Sequence, residues 1–334
     1  MMEIKTFMDF CSGIGGGRLG LELSGLKCVG HSEIIFSSNA TYKLFFGLEG
    51  RNYGDLMKID SSQLPHFDMM IAGFPCQTFS IAGKRAGFND VRGNIIYGLI
   101  KILKEREVGC FLLENVKGLV NHDKGRTFRV IQEELSRAGY DIYHSILNSV
   151  DFGVPQLRER VYIVGFRKDW EVPEFDFPQN APTIYALADI LHPDSQRKPF
   201  DERGATFQRY LANKYNNGKY IFEDLVQEDF TIVDTRHSDL RIYKDATPTL
   251  RTGRHGILYS FKGKLWKLTG EEALKLQGFR EREVSLIRNN PVVSNNTLLS
   301  QAGNAMTVTV IEAISNNMIA ALSGIRNKEV CVCQ

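Results

Sequence analysis

The 334-residue chain has no uninterrupted apolar stretch of about 20 residues, the length a helix needs to cross a bilayer, so no membrane span is expected. Its first residues, MMEIKTFMDF, lack a cationic start followed by an apolar core. No export signal is therefore read, and a cytoplasmic location is expected. Cysteines are few: six, at positions 11, 28, 76, 110, 331 and 333. They show neither the paired spacing of a zinc site nor the density of a disulfide scaffold, so reduced thiols and no metal are expected. Cys331 and Cys333 form a CxC near the end of the chain and receive no role. A net charge of only +2 does not announce a nucleic-acid binder by itself. With 43% hydrophobic and 24% charged residues the composition is that of a globular protein, and the length implies two domains of unequal size.

The charge is unevenly spread. From Thr231 to Gly270 eight Lys and Arg stand against three Asp, with His237 and His255 among them. A solvated basic face and a polyanion-binding surface both fit that segment.

In the first half, strand-like and helix-like patterns alternate. Ile4 to Phe10 is followed by the turn CSGIGGG and a helical RLGLELSG; LKCVGHSE is a strand ending at Glu33, and a helix runs on to about Phe46. FDMMIAGFP, CFLLENV and RVYIVGFR are further strands, and NIIYGLIKILKER and TFRVIQEELSRAGY further helices. The pattern predicts an α/β fold, a doubly wound and mostly parallel sheet with ligands at the carboxyl ends of its strands. After Trp170 the proline-rich EVPEFDFPQNAP reads as a linker, and the texture changes to short strands and loops. In LTGEEALKLQG, Thr269 and Glu272 have capping-box spacing, and MTVTVIEAISNNMIAAL is a core helix expected to return to the first domain. The expected domains are 1–175 completed by a C-terminal helix at 300–325, a second domain at 176–299, and a tail at 326–334.

Chemistry-bearing residues fall at the strand ends. Gly13, Gly15, Gly16 and Gly17 follow the first strand and open a helix, so backbone can approach a ligand there. A G-x-G-x-x-G lies at Gly15, Gly17 and Gly20, and Glu33 is placed to hold ribose hydroxyls. This fits NAD and S-adenosylmethionine alike. Asp55 is placed to read an adenine amino group. Cys76 sits in the turn GFPCQTFS, Glu114 and Asn115 end CFLLENV, and Arg158 and Arg160 alternate in QLRERVYIVGF, on one side of the chain if it is extended.

In DFCSGIGGGRLGLE, GFPCQTFS, ENV, QLRER, LQGF and GNAMTVTV, in that order, the sequence resembles the bacterial DNA cytosine C5 methyltransferases over nearly its whole length. The resemblance implies a Rossmann-like S-adenosylmethionine-dependent catalytic domain and a smaller target-recognition domain. It also implies a monomeric enzyme acting on double-stranded DNA, paired with a restriction endonuclease. Cys76 would be the nucleophile that adds to C6 of an extruded cytosine, because thiolate addition makes C5 electron-rich enough to take a methyl group. Glu114, its pKa raised by desolvation, would meet N3 and the exocyclic amine, Arg160 would meet O2, and Arg158 would help to hold the loop and the thiolate. The cofactor would lie against Cys11, Ser12, Gly13, Gly15, Glu33, Ile34, Asp55, Leu56, Pro75, Asn304, Ala305 and Met306. DNA would be met by Gln77, Ser80, Lys84, Arg85 and Arg92 in a closing loop, and by Thr249, Arg251 and Arg254 around a Thr-Leu signature at Thr249 and Leu250. Departures from the family pattern are Cys11 for a phenylalanine, Ile34 for a tryptophan, Trp266 for an arginine, Ala305 for a serine, and Ala82 where some members carry a loop serine.

Overall fold

The computed structural model describes residues 3–47, 50–75, 95–172, 174–181, 185–193, 197–212, 218–235, 240–253, 255–288 and 290–324. Along the first part of the chain these form β1 (Thr6–Phe10), α1 (Gly16–Leu23), β2 (Lys27–Ser32), α2 (Phe36–Phe46), β3 (Arg51–Asn52), β4 (Met69–Gly73), α3 (Ile95–Glu105), β5 (Cys110–Val116), α4 (Gly118–Asn121), α5 (Arg126–Arg137), β6 (Tyr140–Asn148), β7 (Gln156–Leu157) and β8 (Glu159–Arg167). There follow α6 (Leu187–Ile190), α7 (Ala205–Leu211), α8 (Phe222–Val226), β9 (Ile232–Thr235), β10 (Leu240–Tyr243), β11 (Thr247–Pro248), β12 (Ile257–Phe261), β13 (Lys264–Lys267), α9 (Gly270–Lys275), α10 (Glu281–Ile287), α11 (Asn295–Asn304) and α12 (Val308–Leu322). Two compact units result: residues 1–148, 159–179 and 306–334 make one, and 149–158 with 180–305 make the other.

The first unit is built on a seven-stranded sheet of order β3-β2-β1-β4-β5-β8-β6. Pairings among β3, β2, β1, β4 and β5 are parallel, whereas β8 is antiparallel to both β5 and β6. A single reversed strand in an otherwise parallel sheet agrees with the mostly parallel expectation. Parallel strands are covered on both faces, so they read as continuous apolar runs rather than alternations, as in the six buried residues of Cys110–Asn115. One face packs Met8, Phe10, Met70, Phe111 and Leu113 against Leu99 and Leu103 of α3 and Ile131 of α5. On the other face α1 lies so close that a side chain at Gly17 would meet Ile71.

The sequence reading runs directly from α5 to RVYIVGFR and omits β6. YDIYHSILN carries Asp, His and Ser and is only partly buried, because it is an edge strand paired to β8 alone within the sheet. Edge position removes the apolar run that marks its neighbours.

A second departure concerns apolar length. Asn295–Leu322 contains a window of mean hydropathy 1.3 with the length and composition of a membrane span. It is two helices, α11 and α12, interrupted between Asn304 and Val308, and 56% of the window is buried inside the protein. Packing accounts for its apolarity: α12 buries Val310, Ile311, Ile314 and Met318 and contacts α1.

The second unit carries the four-stranded antiparallel sheet β10-β9-β12-β13 and the short parallel pair β7 and β11. Phe207, Leu225, Val233, Leu240, Leu258 and Leu265 form its core. The capping box at the start of α9 is present, with Glu272 N donating to Thr269 Oγ1 at 3.2 Å and Thr269 N donating to Glu272 Oε2 at 2.8 Å.

The contact between α1 and α12 makes a test. A Cβ at Gly20 would come within 2.6 Å of Ile311 Cβ and 2.8 Å of Val308 O. Alanine gains about 0.5–1 kcal/mol in helix propensity, but overpacking costs about 1–3 kcal/mol and dominates. Gly20→Ala should lower stability by about 1–2 kcal/mol in urea denaturation. An unchanged or raised midpoint would contradict the close packing.

Candidate active site at the carboxyl ends of the strands

The sheet order reverses at β1, whose neighbours β2 and β4 connect to opposite halves, and a crevice opens where chains leave such a point in opposite directions. The loops following β1 and β4 are CSGIGGG and the start of GFPCQTFS. The fold thus brings the two conspicuous loops to neighbouring strand ends.

After Phe10 the backbone enters the left-handed region at Cys11, Gly13 and Gly15, with φ of 51°, 55° and 86°. The loop is fastened to β2 through Ser12 N donating to Ser32 O at 3.1 Å. Glu33 organises it further: Oε2 accepts from Gly13 N at 2.8 Å and Oε1 from Ile35 N at 2.6 Å. Asn52, at the end of β3, holds Glu33 in turn, donating to its carbonyl at 3.0 Å and accepting from its N–H at 3.0 Å. Asn52 was missed by sequence reasoning because an Asn ending a two-residue strand carries no pattern. A Cβ at Gly13 would meet nothing within 4 Å, so the loop faces open space there, and the buried Ser12 Oγ has no hydrogen-bond partner among the described residues. Asp55 caps the turn that follows it by accepting from Met57 N at 3.0 Å, Leu56 is buried, and Ile34 is 72% exposed.

Behind the loop Asp9 is fully buried, and neither carboxyl oxygen has a hydrogen-bond partner among the described residues. Desolvation pushes its pKa well above the ordinary carboxylate range, only partly opposed by the Arg18 charge. The sequence signal was an aspartate inside the apolar strand TFMDF.

Burial also governs the described thiols. Cys11, near Glu33, Asp9 and Asp55, is pushed up to about 12, and Cys28 up to about 11, in both cases chiefly by desolvation; Cys110 is raised as well. Since these folded values lie above pH 8, thiolate there is at most about one part in a thousand, and the thiolate is the reactive form. Native protein treated with iodoacetamide at pH 8 should leave the buried Cys28 and Cys110 unmodified in peptide mass spectra, while denatured protein is modified at both. Rapid native labelling of either would contradict their burial.

At the next strand end, β4 and β5 pair with Gly73 opposite Glu114. Asn115 Nδ2 donates to Phe74 O at 2.8 Å, so ENV grips the backbone just before Pro75. Glu114 and Arg160 lie on one face of the β5–β8 pair as a diagonal, since Glu114 is opposite Tyr162 and Val116 opposite Arg160. Arg160 Nε stands 3.1 Å from Glu114 Oε1, both side chains being mostly buried. That oxygen has a cation beside it but no aligned hydrogen bond among the described residues. It keeps acceptor capacity for a third group.

Cys76, Gln77, Ser80, Lys84, Arg85, Arg92 and Arg254 lie outside the described residues. Arg158 is 2% exposed and donates to Leu250 O at 3.2 Å, Gly303 O at 3.2 Å and Ala305 O at 2.8 Å. Arg158 and Arg160, two positions apart in the motif, thus bond to different things: Arg158 to backbone carbonyls of the second unit, Arg160 to a carboxylate of the first. Of the other candidates, Thr249 Oγ1 donates to Leu157 O at 2.6 Å, Arg251 is exposed, and Asn304 Oδ1 accepts from Thr252 Oγ1. Met306 packs so tightly in the first unit that its carbonyl oxygen lies 2.4 Å from where a Cβ on Gly16 would be.

Residues 5–320 match the family model of C-5 cytosine-specific DNA methylases. The chain belongs to that family. The methyltransferase is 36% identical over 326 residues to Type II methyltransferase M.HaeII of Haemophilus aegyptius, covering 97% of this chain and 95% of the relative. To Type II methyltransferase M.NlaX of Neisseria lactamica it is 38% identical, covering 97% and 99%. Its fold matches a mutant of Spodoptera frugiperda DNMT2 with a TM-score of 0.68 at 19% identity, covering 96% and 99% of the two chains. The Entamoeba histolytica methyltransferase EhMeth matches with a TM-score of 0.66 at 16% identity, covering 98% and 100%. The enzyme is a DNA (cytosine-5)-methyltransferase, and its family and fold imply S-adenosylmethionine-dependent methylation of DNA.

Proposed function

We propose that the methyltransferase acts on a cytosine swung out of duplex DNA, through a transient bond from Cys76 Sγ to C6. The observation that carries this reading is the Glu114–Arg160 pair at the end of β5, one strand over from the turn that leads into Cys76. Thiolate addition at C6 breaks the ring's aromaticity and pushes the electron pair towards C5, N3 and O2. Glu114 would pass a proton to N3 as the electron pair arrives there and, through its unaligned oxygen, accept from the exocyclic amine, and Arg160 would neutralise charge developing at O2. Asn115 serves by fixing the Phe74 carbonyl, and so the start of the cysteine turn. Loss of the C5 proton to a base such as water, with expulsion of the thiolate, restores the 5,6 double bond.

The loop after β1 fits a nucleoside-bearing cofactor: Gly13 opens to free space, Ser12 Oγ is an unmet polar atom, and Glu33 is held as an acceptor beside them. These residues, with Cys11, Gly15, Ile34, Asp55 and Leu56, would hold S-adenosylmethionine. Bound there, it supplies the electrophilic methyl group that C5 takes up. Pro75, Met306, Asn304 and Ala305 complete the proposed cofactor contacts, while Gln77, Ser80, Lys84, Arg85, Arg92, Thr249, Arg251 and Arg254 would meet DNA, in part through phosphates. Beside the expected part in holding the loop and the thiolate, the scaffold bonds of Arg158 support a role in holding the Leu250 segment. The domains are proposed as a catalytic unit and a target-recognition unit, and the Type II names of the relatives support pairing with a restriction endonuclease.

Glu114→Gln cannot donate a proton to N3, so kcat for methyl transfer to duplex DNA should fall by about a hundredfold or more. Binding of S-adenosylhomocysteine by calorimetry should change little. Bisulfite sequencing of DNA from cells expressing each form reads both the recognised word and its loss in the variant. A variant with full kcat would remove Glu114 from the chemistry.

A further inference from the structure

In the second unit the chain from Arg197 to Phe200, which belongs to none of the motifs above, runs along the edge strand β13. Phe200 N donates to Leu265 O at 2.7 Å, and Arg197 Nη2 donates to Lys267 O. The rest of the Arg197 guanidinium converges on α9. Nη1 donates to Glu272 Oε1 at 3.0 Å and to Tyr259 OH at 3.2 Å, and the group lies 5.8 Å from the Trp266 ring centroid. Tyr259 OH donates to the same Glu272 oxygen at 2.6 Å. Glu272 is 5% exposed, its other oxygen accepts from Thr269 N and Oγ1, and among the described residues its ion-pair partner is Arg197.

What lies beyond α9 gives the cluster a use. Leu276 O, at the end of the helix, accepts from Gln156 Nε2 at 2.8 Å, and Gln156 Oε1 accepts from Leu250 N at 3.1 Å. Gln277 Nε2 donates to Ala302 O at 2.7 Å. Leu250 stands between Thr249 and Arg251. A short helix cannot shift at one end without moving the other, so the anchor at its first turn constrains the Leu250 backbone. Energy alone does not explain the anchor, because a buried ion pair can be exchanged for apolar packing at little cost in stability. Geometry does.

We infer that Arg197 is a positioning residue for DNA recognition: by fixing Glu272 and α9 it sets, through Gln156, where Thr249 and Arg251 stand. This rests on the reading above that Thr249 and Arg251 meet DNA. The chemistry of the partner is unchanged, a duplex with its phosphates and groove edges, but the control of fidelity extends to a residue outside every motif.

The test uses the full chain with Arg197→Met, Arg197→Lys and, should the methionine variant not fold, Glu272→Gln, which keeps the size of the side chain and removes its charge. Three quantities are read: hydrogen exchange of peptides containing Leu250, Kd for a duplex carrying the target word, and Kd for S-adenosylhomocysteine. Arg197→Met or Glu272→Gln should speed exchange at Leu250 and raise the duplex Kd by about tenfold. S-adenosylhomocysteine affinity should stay within about twofold, and Arg197→Lys should recover part of the loss, since it restores the charge without the fork. Unchanged exchange and unchanged duplex affinity in a folded variant overturn the inference. So does equal loss of both ligands, which would mark Arg197 as a general stabiliser. Arg251→Ala is measured in parallel. If it too leaves duplex affinity intact, the reading of the recognition segment fails; if it weakens binding while Arg197→Met does not, only the positioning role fails.

Discussion

The reversal of strand order at β1 is the constraint on which the rest of the first unit depends. β1 pairs in parallel with β2 on one side and β4 on the other, and β5 continues beyond β4. Parallel strands end at one edge, and crossovers leave the switch point in opposite directions. Glycine loop, Glu33, the Phe74–Pro75 backbone and ENV therefore fall along a single edge, although they are spread over about a hundred residues of sequence. The cost of close packing needed to keep α1 on this sheet is met by glycines, not by movement of the strands.

Three carboxyl groups at that edge illustrate how one environment handles buried acid in three ways. Asp9 has no well-aligned donor among the described residues and is pushed towards its neutral form by desolvation. Glu33 is satisfied by backbone N–H groups, one from the glycine loop and one from the turn that follows Glu33 itself, which makes it an organiser of the loop. Glu114 has a cation instead, at a distance that neutralises charge but without the alignment of a hydrogen bond. An uncompensated buried charge costs several kcal/mol, roughly the scale of a domain's whole stability, so these arrangements are not incidental. Proposed chemistry draws on the last two.

Much of this was legible in the residues. Alternation followed by the glycine turn located β1, apolar runs located β4 and β5, and Thr269 with Glu272 announced the start of α9. Local pattern fails where the partner is distant. Arg158 bonds to carbonyls 92 to 147 positions away, Gln156 to one 120 away, and Arg197 to a glutamate 75 away. Backbone carbonyls have no residue identity, so nothing in the sequence marks which ones a side chain will reach. β6 escaped for another reason, because an edge strand does not carry the apolar signature that burial on both sides imposes. Alternation put Arg158 and Arg160 on one side of the chain, whereas the folded chain gives one of them to each unit.

The proposed mechanism requires a thiolate at position 76 to meet C6 of cytosine at the strand-end edge. Incubating the enzyme with S-adenosylmethionine and a duplex whose target cytosine is 5-fluorinated blocks the final elimination, since fluorine cannot leave as the proton does. Mass spectrometry of the digested product should then show a single peptide containing Cys76 joined to the methylated fluorocytosine. Turnover-dependent methylation of the ordinary duplex with no adduct at Cys76 on the fluorinated one would contradict it.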